Sequence, residues 1–220
     1  MAAETTTVDL SFRVTGKTIP ADHGYVLYSA VSRIVPWIHE PAQNQVGIHP
    51  INGLLAGNRL LHLTPSSRLT FRLDANDIKQ LLPLAGKELD LDGYQLRVGV
   101  PTTYALKPKT TLRSRLVTIK HRMAPDSFLA AVQEELSKLS IQGTPVLLRR
   151  RGTKALESKS GAEPDRSPFV RRTIRIHDKE VVGYAVMVQC LTDDDSLKLQ
   201  QHGIGGRRRL GCGIFVPVRE

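Results

Sequence analysis

Secondary-structure signals in this chain run strand, helix, two strands, helix, strand, and then run through the same order again. Residues 6–14 alternate strictly, with Val8, Leu10, Phe12 and Val14 on one face, the period of a half-buried strand. A helix follows from Asp22, in which Leu27, Ala30, Val31 and Ile34 form an i, i+3, i+4, i+7 stripe and Pro36 marks the stop. Strand signals at residues 60–63 and 68–73 come next. Asp74 then opens a second helix with Ile78, Leu81 and Leu82 as its buried face. Residues 89–91 and 96–100 flank Asp92-Gly93, a pair that enters positive φ readily and makes a tight hairpin turn.

The second pass begins with a β-rich run at residues 112–121. Pro125 starts a helix with Leu129, Val132, Leu136 and Leu139 on one side. Residues 145–149, 170–176 and 181–190 read as strands, and residues 193–202 as a short helix with its acids at the start, where they suit the dipole. Residues 214–218 form the last strand. This order specifies an α+β fold of two tandem ferredoxin-like (βαββαβ) domains, placed at residues 1–101 and 102–220. Residue identities do not repeat between the halves, so the duplication is one of pattern.

Before the last strand, Gly203, Gly205, Gly211 and Gly213 bracket Arg207, Arg208 and Arg209. Backbone amides in such a C-terminal glycine-rich loop can form an anion-binding concavity, and guanidinium forks match phosphate. Nucleotide motifs do not fit it. A P-loop needs Gly-Lys followed by Ser or Thr and a helix. In a dinucleotide fingerprint counted from Gly203, the third glycine position holds Arg208. What remains is an anion loop leading into a strand, with a polymer as the expected ligand.

Charge points the same way. Residues 1–100 hold 9 Lys+Arg against 9 Asp+Glu, whereas residues 101–220 hold 22 against 12. The whole net charge of +10 therefore lies in the second half, which favours a polyanion such as nucleic acid docking there. Residues 151–167, rich in Gly, Ser, Pro and charge, read as a mobile hairpin tip. Arg149, Arg150 and Arg151 sit on one arm, with Arg171, Arg172 and Arg175 on the other. They make either a prong that tracks phosphates or a sheet edge protected by charge. Apolar stretches are too short to span a membrane, the first residues lack a signal peptide's basic start and apolar core, and two cysteines cannot build a disulfide framework. The expectation is a soluble, cytoplasmic protein with buried, reduced thiols.

Histidines stand at positions 23, 39, 49, 62, 121, 177 and 202, none four residues from another, so the sequence predicts no metal centre and no cofactor. The informative region is residues 22–50. Opposite the apolar stripe of the first helix lie Tyr25, Tyr28, Ser29 and Ser32. His39 follows the helix end and His49 lies in Gly47-Ile-His-Pro50. An imidazole beside hydroxyl groups can serve as general base or acid, although a structural role is the commoner one for a histidine.

Tandem ferredoxin-like halves ending in Gly203-Ile-Gly-Gly-Arg-Arg-Arg-Leu-Gly-Cys-Gly213 resemble the RAMP superfamily, whose hallmark is a glycine-rich loop before the last strand. Within it, Ile19-Pro-Ala-Asp-His-Gly-Tyr-Val-Leu-Tyr-Ser-Ala-Val-Ser32 and Ile38-His-Glu40 are similar to the CRISPR repeat-processing endoribonucleases, the Cas six family. The resemblance covers nearly the whole chain. It implies metal-independent cleavage of CRISPR repeat stem-loops in precursor RNA by the ribose 2′-hydroxyl, leaving a 2′,3′-cyclic phosphate and a 5′-hydroxyl. The mature guide RNA would stay bound with other subunits of an effector complex.

His39 matches the family's catalytic histidine. Relatives carry a tyrosine late in the helix, where this chain has Ser32, and a lysine soon after the histidine, where the next lysine here is Lys79. Tyr28, Arg33, His49 or Arg59 would have to take those roles, and His49 is the second candidate for the base. The family's division of labour puts the stem-loop on the second half and its basic hairpin, and the RNA backbone on the glycine loop. One Trp and five Tyr are too few to stack many single-stranded bases, which favours structured RNA read by shape and phosphate. Two other readings stand beside this one: a non-catalytic subunit that holds the CRISPR RNA hairpin, and an unrelated basic RNA-binding module.

Overall fold

The alternating segment becomes β1 (Thr7–Thr15), and its apolar side chains make the centre of the first sheet. The molecule is described by a computed structural model over residues 6–150 and 167–218. After β1 come β2 (Thr18–Pro20), α1 (Gly24–Ile34), β3 (Gly47–Ile48), β4 (Leu54–Leu55), β5 (Leu60–His62) and β6 (Arg68–Asp74). A short α2 (Ile78–Leu81) leads to β7 (Glu88–Leu91) and β8 (Tyr94–Ala105). The first sheet has the order β3-β6-β1-β8-β7, with β1 antiparallel to both neighbours and Leu10 opposite Phe71 and Thr103. Phe12 and Phe71 meet edge to face at 5.9 Å, and Leu27, Ala30 and Val31 of α1 close the same core.

The second half contains β9 (Leu112–Val117), α3 (Pro125–Lys138), β10 (Thr144–Leu147), β11 (Arg171–Ile176), β12 (Lys179–Gln189), α4 (Asp193–His202) and β13 (Phe215–Pro217). Its sheet runs β10-β12-β9-β13, and β11 continues the edge by pairing with β12. If β10 and β11 are taken as one interrupted strand, each half has its second, third, first and fourth strands side by side. That is the ferredoxin-like order, so the α+β expectation holds. A separate core of Leu112, Phe128, Val132, Leu136, Val186 and Phe215 fills this half. Among the described residues no helix is long and apolar enough to cross a membrane.

Several local expectations need correction. Residues 60–63 are not the second strand of the first sheet. That place belongs to Gly47–Ile48, both buried, and β5 instead joins β2 and β4 in a small sheet of its own. The physical reason is burial: Leu60 and Leu61 are only partly covered, so β5 has no fully buried face to lay on the core. Leu82 is 47% exposed, because Pro83 tightens the chain into a 3₁₀ turn that turns Leu84 inward instead. The first sheet runs on through residue 101 to Ala105. Asp22 does not cap α1; its carboxylate accepts the Arg175 backbone N–H at 2.9 Å from the other half. Cys212 is buried as expected but Cys190 is exposed.

The halves are joined through buried arginines. Arg72 in β6 grips Asp9 with Nε and Nη2, both at 2.8 Å. Its Nη1 donates to the carbonyls of Gln200 (3.1 Å) and Phe215 (2.6 Å) in the second half. Arg208 returns the connection, donating to Gln45 O (3.1 Å) and Gln201 O (2.8 Å).

Candidate functional site

Helix α1 stops at Ile34 because Pro36 cannot continue it, and a 3₁₀ turn (Pro36–His39) swings the chain back along the helix. Ile38 plugs into the core and His39 stands exposed. The turn brings His39 Nδ1 to 2.7 Å from the hydroxyl of Tyr28, with the rings edge to face at 5.2 Å. Tyr28, one helical turn before Ser32, is thus the helix hydroxyl that meets His39. Ser32, expected on the polar face, is buried and donates its hydroxyl to Ser29 O.

Arg209, from the glycine-rich loop, completes the cluster. Its Nη1 donates to Ile38 O at 2.6 Å and reaches Glu40 O at 3.5 Å, while its guanidinium carbon lies 5.5 Å from the Tyr28 ring centre. Sequence reasoning gave Arg209 a phosphate to bind and did not connect it with Tyr28 and His39.

His49 lies elsewhere. Its buried Nε2 is 3.5 Å from Asp9, too long for a good hydrogen bond, beside Arg72 and Arg208. Burial pushes its ionisation down, only partly opposed by Asp9. Asp9 itself, which burial alone would raise, is held well below the usual carboxylate range by His49 and Arg72. His49 therefore belongs to the buried joint between the halves and is not brought into the Tyr28 cluster as an alternative base.

The loop departs from an open anion cradle. Amides of Ile204, Gly206 and Gly213 donate to Gly213 O, Thr118 O and Leu116 O at 3.3, 3.3 and 2.7 Å. The glycines are needed for close backbone approach: a Cβ on Gly203 would strike Gly213 O, one on Gly205 would strike Thr118 O, and one on Gly211 would press on Pro50. Arg208 is buried, with its ionisation pushed down to about 10 by loss of water and by Arg72. Arg207 is exposed at a φ of 66°.

A groove of about 520 Å³ opens between the halves, walled by Arg59, Arg115, Arg150, Arg171 and Arg172 with Asp22 among them. Three of these were expected on the basic hairpin; Arg115 was not. The signal was present in β9, where exposed Arg113 and Arg115 alternate with buried Leu112, Ser114 and Leu116. Arg115 reaches solvent yet is crowded, and desolvation by the groove walls followed by repulsion from Arg172 lowers its ionisation. Arg149 lies over the Phe169 ring at 5.7 Å, and Arg175 pairs loosely with Glu180 at 3.7 Å. Arg151 lies outside the described residues. Among the described residues no three His, Cys, Asp or Glu side chains gather where they could hold a metal ion.

Comparison with known proteins gives this geometry a family. A family model described as "Cas6 Crispr" matches residues 8–220. The chain belongs to the Cas6 family. It is 36% identical over 210 residues to the CRISPR-associated endonuclease Cas6 of Myxococcus xanthus (strain DK1622), covering 96% of this chain and 81% of that protein. Among solved structures, the chain is similar to a CRISPR-associated protein Cas6, with a TM-score of 0.62, 12% identity and coverage of 98% and 100% of the two chains. It is also similar to a RAMP protein described as binding different RNA substrates, with a TM-score of 0.65, 11% identity and coverage of 96% and 100%. At these identities the two structures speak for the Cas6 fold, and the sequence matches for the family.

Proposed function

We propose that this Cas6 protein is a metal-independent endoribonuclease that cuts CRISPR repeat stem-loops in precursor RNA and keeps the mature guide as part of an effector complex. The observation that carries the catalytic reading is the exposed Tyr28–His39 pair at 2.7 Å. In the reaction the 2′-hydroxyl loses its proton as its oxygen attacks the adjacent phosphorus. The P–O5′ bond breaks and the leaving oxygen takes up a proton. The products are a 2′,3′-cyclic phosphate and a 5′-hydroxyl, and the nucleophile comes from the RNA itself.

His39 serves this transfer through its outward Nε2. When Nδ1 carries the proton and donates it to the Tyr28 oxygen, Nε2 has a free lone pair and acts as base. When both nitrogens are protonated, Nε2–H acts as acid toward the 5′-oxygen while Tyr28 still accepts from Nδ1. In both states the phenolic oxygen accepts from Nδ1–H, so one partner supports both.

Binding is assigned to the basic groove. Its guanidinium groups repel one another and stay charged, so a phosphodiester backbone relieves the crowding. Arg171, Arg172 and Arg150, with Arg149 and Arg175 alongside, form the RNA-facing edge. Arg207 is the member of the loop's arginine triplet turned to solvent.

The test is incubation of purified protein with a repeat stem-loop in excess EDTA. Cyclic-phosphate product from the wild-type protein, and a loss of about 10²- to 10⁴-fold in rate with retained binding for His39→Ala, are expected. Cleavage abolished by EDTA, or equal cleavage by His39→Ala, overturns the mechanism. Tight binding without cleavage favours the non-catalytic hairpin-binding subunit.

A further inference from the structure

We infer that Arg209 is the positioning residue of the Tyr28–His39 pair, so that the second half of the molecule sets the geometry of the cutting site in the first. This inference rests on the proposed cleavage activity. Arg209 touches Tyr28 and the backbone on either side of His39 through one rigid group. Its guanidinium lies 5.5 Å from the centre of the Tyr28 ring, and Nη1 holds Ile38 O, the carbonyl immediately before His39, at 2.6 Å. The same nitrogen reaches Glu40 O on the other side of His39 at 3.5 Å. The turn is thus held from both flanks of the histidine, and the tyrosine is held by its ring.

Those contacts cover the degrees of freedom that α1 leaves open. His39 is exposed and sits on a 3₁₀ turn whose hydrogen bonds lie at the upper end of the usual range: Ile38 N–H to Val35 O at 3.2 Å and Glu40 N–H to Trp37 O at 3.1 Å. A carbonyl at the end of such a turn is a good acceptor for a fixed cation. A planar guanidinium can lie against an aromatic ring and donate in its own plane at once, which an ammonium cannot do.

Arg209 itself is aimed by what surrounds it. Neighbouring Arg208 is buried and anchored to Gln45 O and Gln201 O. Gly211, at a φ of 84°, closes the 3₁₀ turn Arg208–Leu210 against Pro50. The loop is therefore a rigid mount.

The experiment compares Arg209→Ala and Arg209→Lys with wild type in single-turnover cleavage of a repeat stem-loop, with binding measured separately. Arg209→Ala should cut about 10²-fold more slowly at saturating RNA, with affinity changed less than threefold. Arg209→Lys, which keeps the cation without the planar fork, should recover part of that loss. In a cycle with Tyr28→Phe the two losses should not add, because both act through His39. A loss of affinity with an unchanged saturated rate overturns the inference and makes Arg209 an ordinary RNA contact. The His39 ring nitrogens, observed by NMR without RNA, separate this claim from the activity. Their shifts should move toward those of a free imidazole in Arg209→Ala, and unmoved shifts overturn the inference even if no RNA is cut. If wild type cuts nothing while these shifts move, the proposed activity falls and the positioning role stands.

Discussion

At the residue scale, histidines in this chain divide by what surrounds their nitrogens. His39 has one nitrogen on a phenol and the other toward solvent, which suits proton transfer. His23 is the opposite case: its Nδ1 donates to Pro20 O at 2.8 Å, and its Nε2 accepts the Ile51 N–H at 2.9 Å. Both nitrogens are committed to one neutral tautomer, and burial pushes the pKa down to about 4, with the Pro20 carbonyl opposing and Arg115 assisting. A proton therefore binds the unfolded chain more readily than the folded one. Stability from this group is present above about pH 6.5, the usual histidine value, and is lost as pH falls toward 4. The difference is worth about 3 kcal/mol, and His49 acts in the same direction. Urea unfolding followed from pH 7 to pH 4 should show that decline. His23→Gln should be less stable at pH 7 but lose less on acidification, and an identical slope would assign the decline to other groups. None of this was readable in the sequence, where His23, His39 and His49 were alike in kind. A tautomer is fixed by acceptors and donors that the fold brings in from distant residues.

At the element scale, the parts that were legible are those with enough residues to display a period. β1 and α1 bury the face their spacing foretold, whereas α3 buries Phe128, Ala131, Val132 and Leu136 and leaves the expected Leu129 and Leu139 only partly covered. The second strand of the first sheet was missed because two residues, Gly47 and Ile48, cannot show alternation. The glycine-rich loop was recognised, but for a different chemistry. Its composition was read as an invitation to phosphate, whereas several of its amides already serve carbonyls of the protein. The glycines themselves make a sharp contrast that can be measured. Gly203 lies at φ 65° and ψ −168°, a region nearly restricted to glycine, and a side chain there would meet Gly213 O. Gly206 has open space around a Cβ and no positive φ. Gly203→Ala should cost about 3 kcal/mol or more in unfolding free energy, and Gly206→Ala within about 0.5 kcal/mol. Equal effects at the two positions would show that the loop is not held by backbone approach.

At the scale of the whole molecule, the two halves meet across a polar seam. The first sheet turns Asp9, Ser11 and Arg72 away from its own core, and Arg72 is met there by carbonyls from α4 and β13. Beside the seam, the groove gathers arginines from both halves, which the uneven charge of the sequence anticipated only for the second. If Arg115, Arg171 and Arg172 each meet a phosphate, replacing all three with alanine should flatten the log–log salt dependence of RNA binding by about 2 to 3. A slope unchanged from wild type would place the RNA elsewhere. The seam also imposes an order in time. Tyr28 and His39 are made before Arg209, which comes some 170 residues later. A growing chain therefore carries the tyrosine–histidine pair over that interval without the guanidinium that joins the Tyr28 ring to the turn around His39. If the pair cuts RNA as proposed, the geometry for cutting is completed only when the glycine loop closes on it, so a partly made copy would do little harm to the transcripts around it.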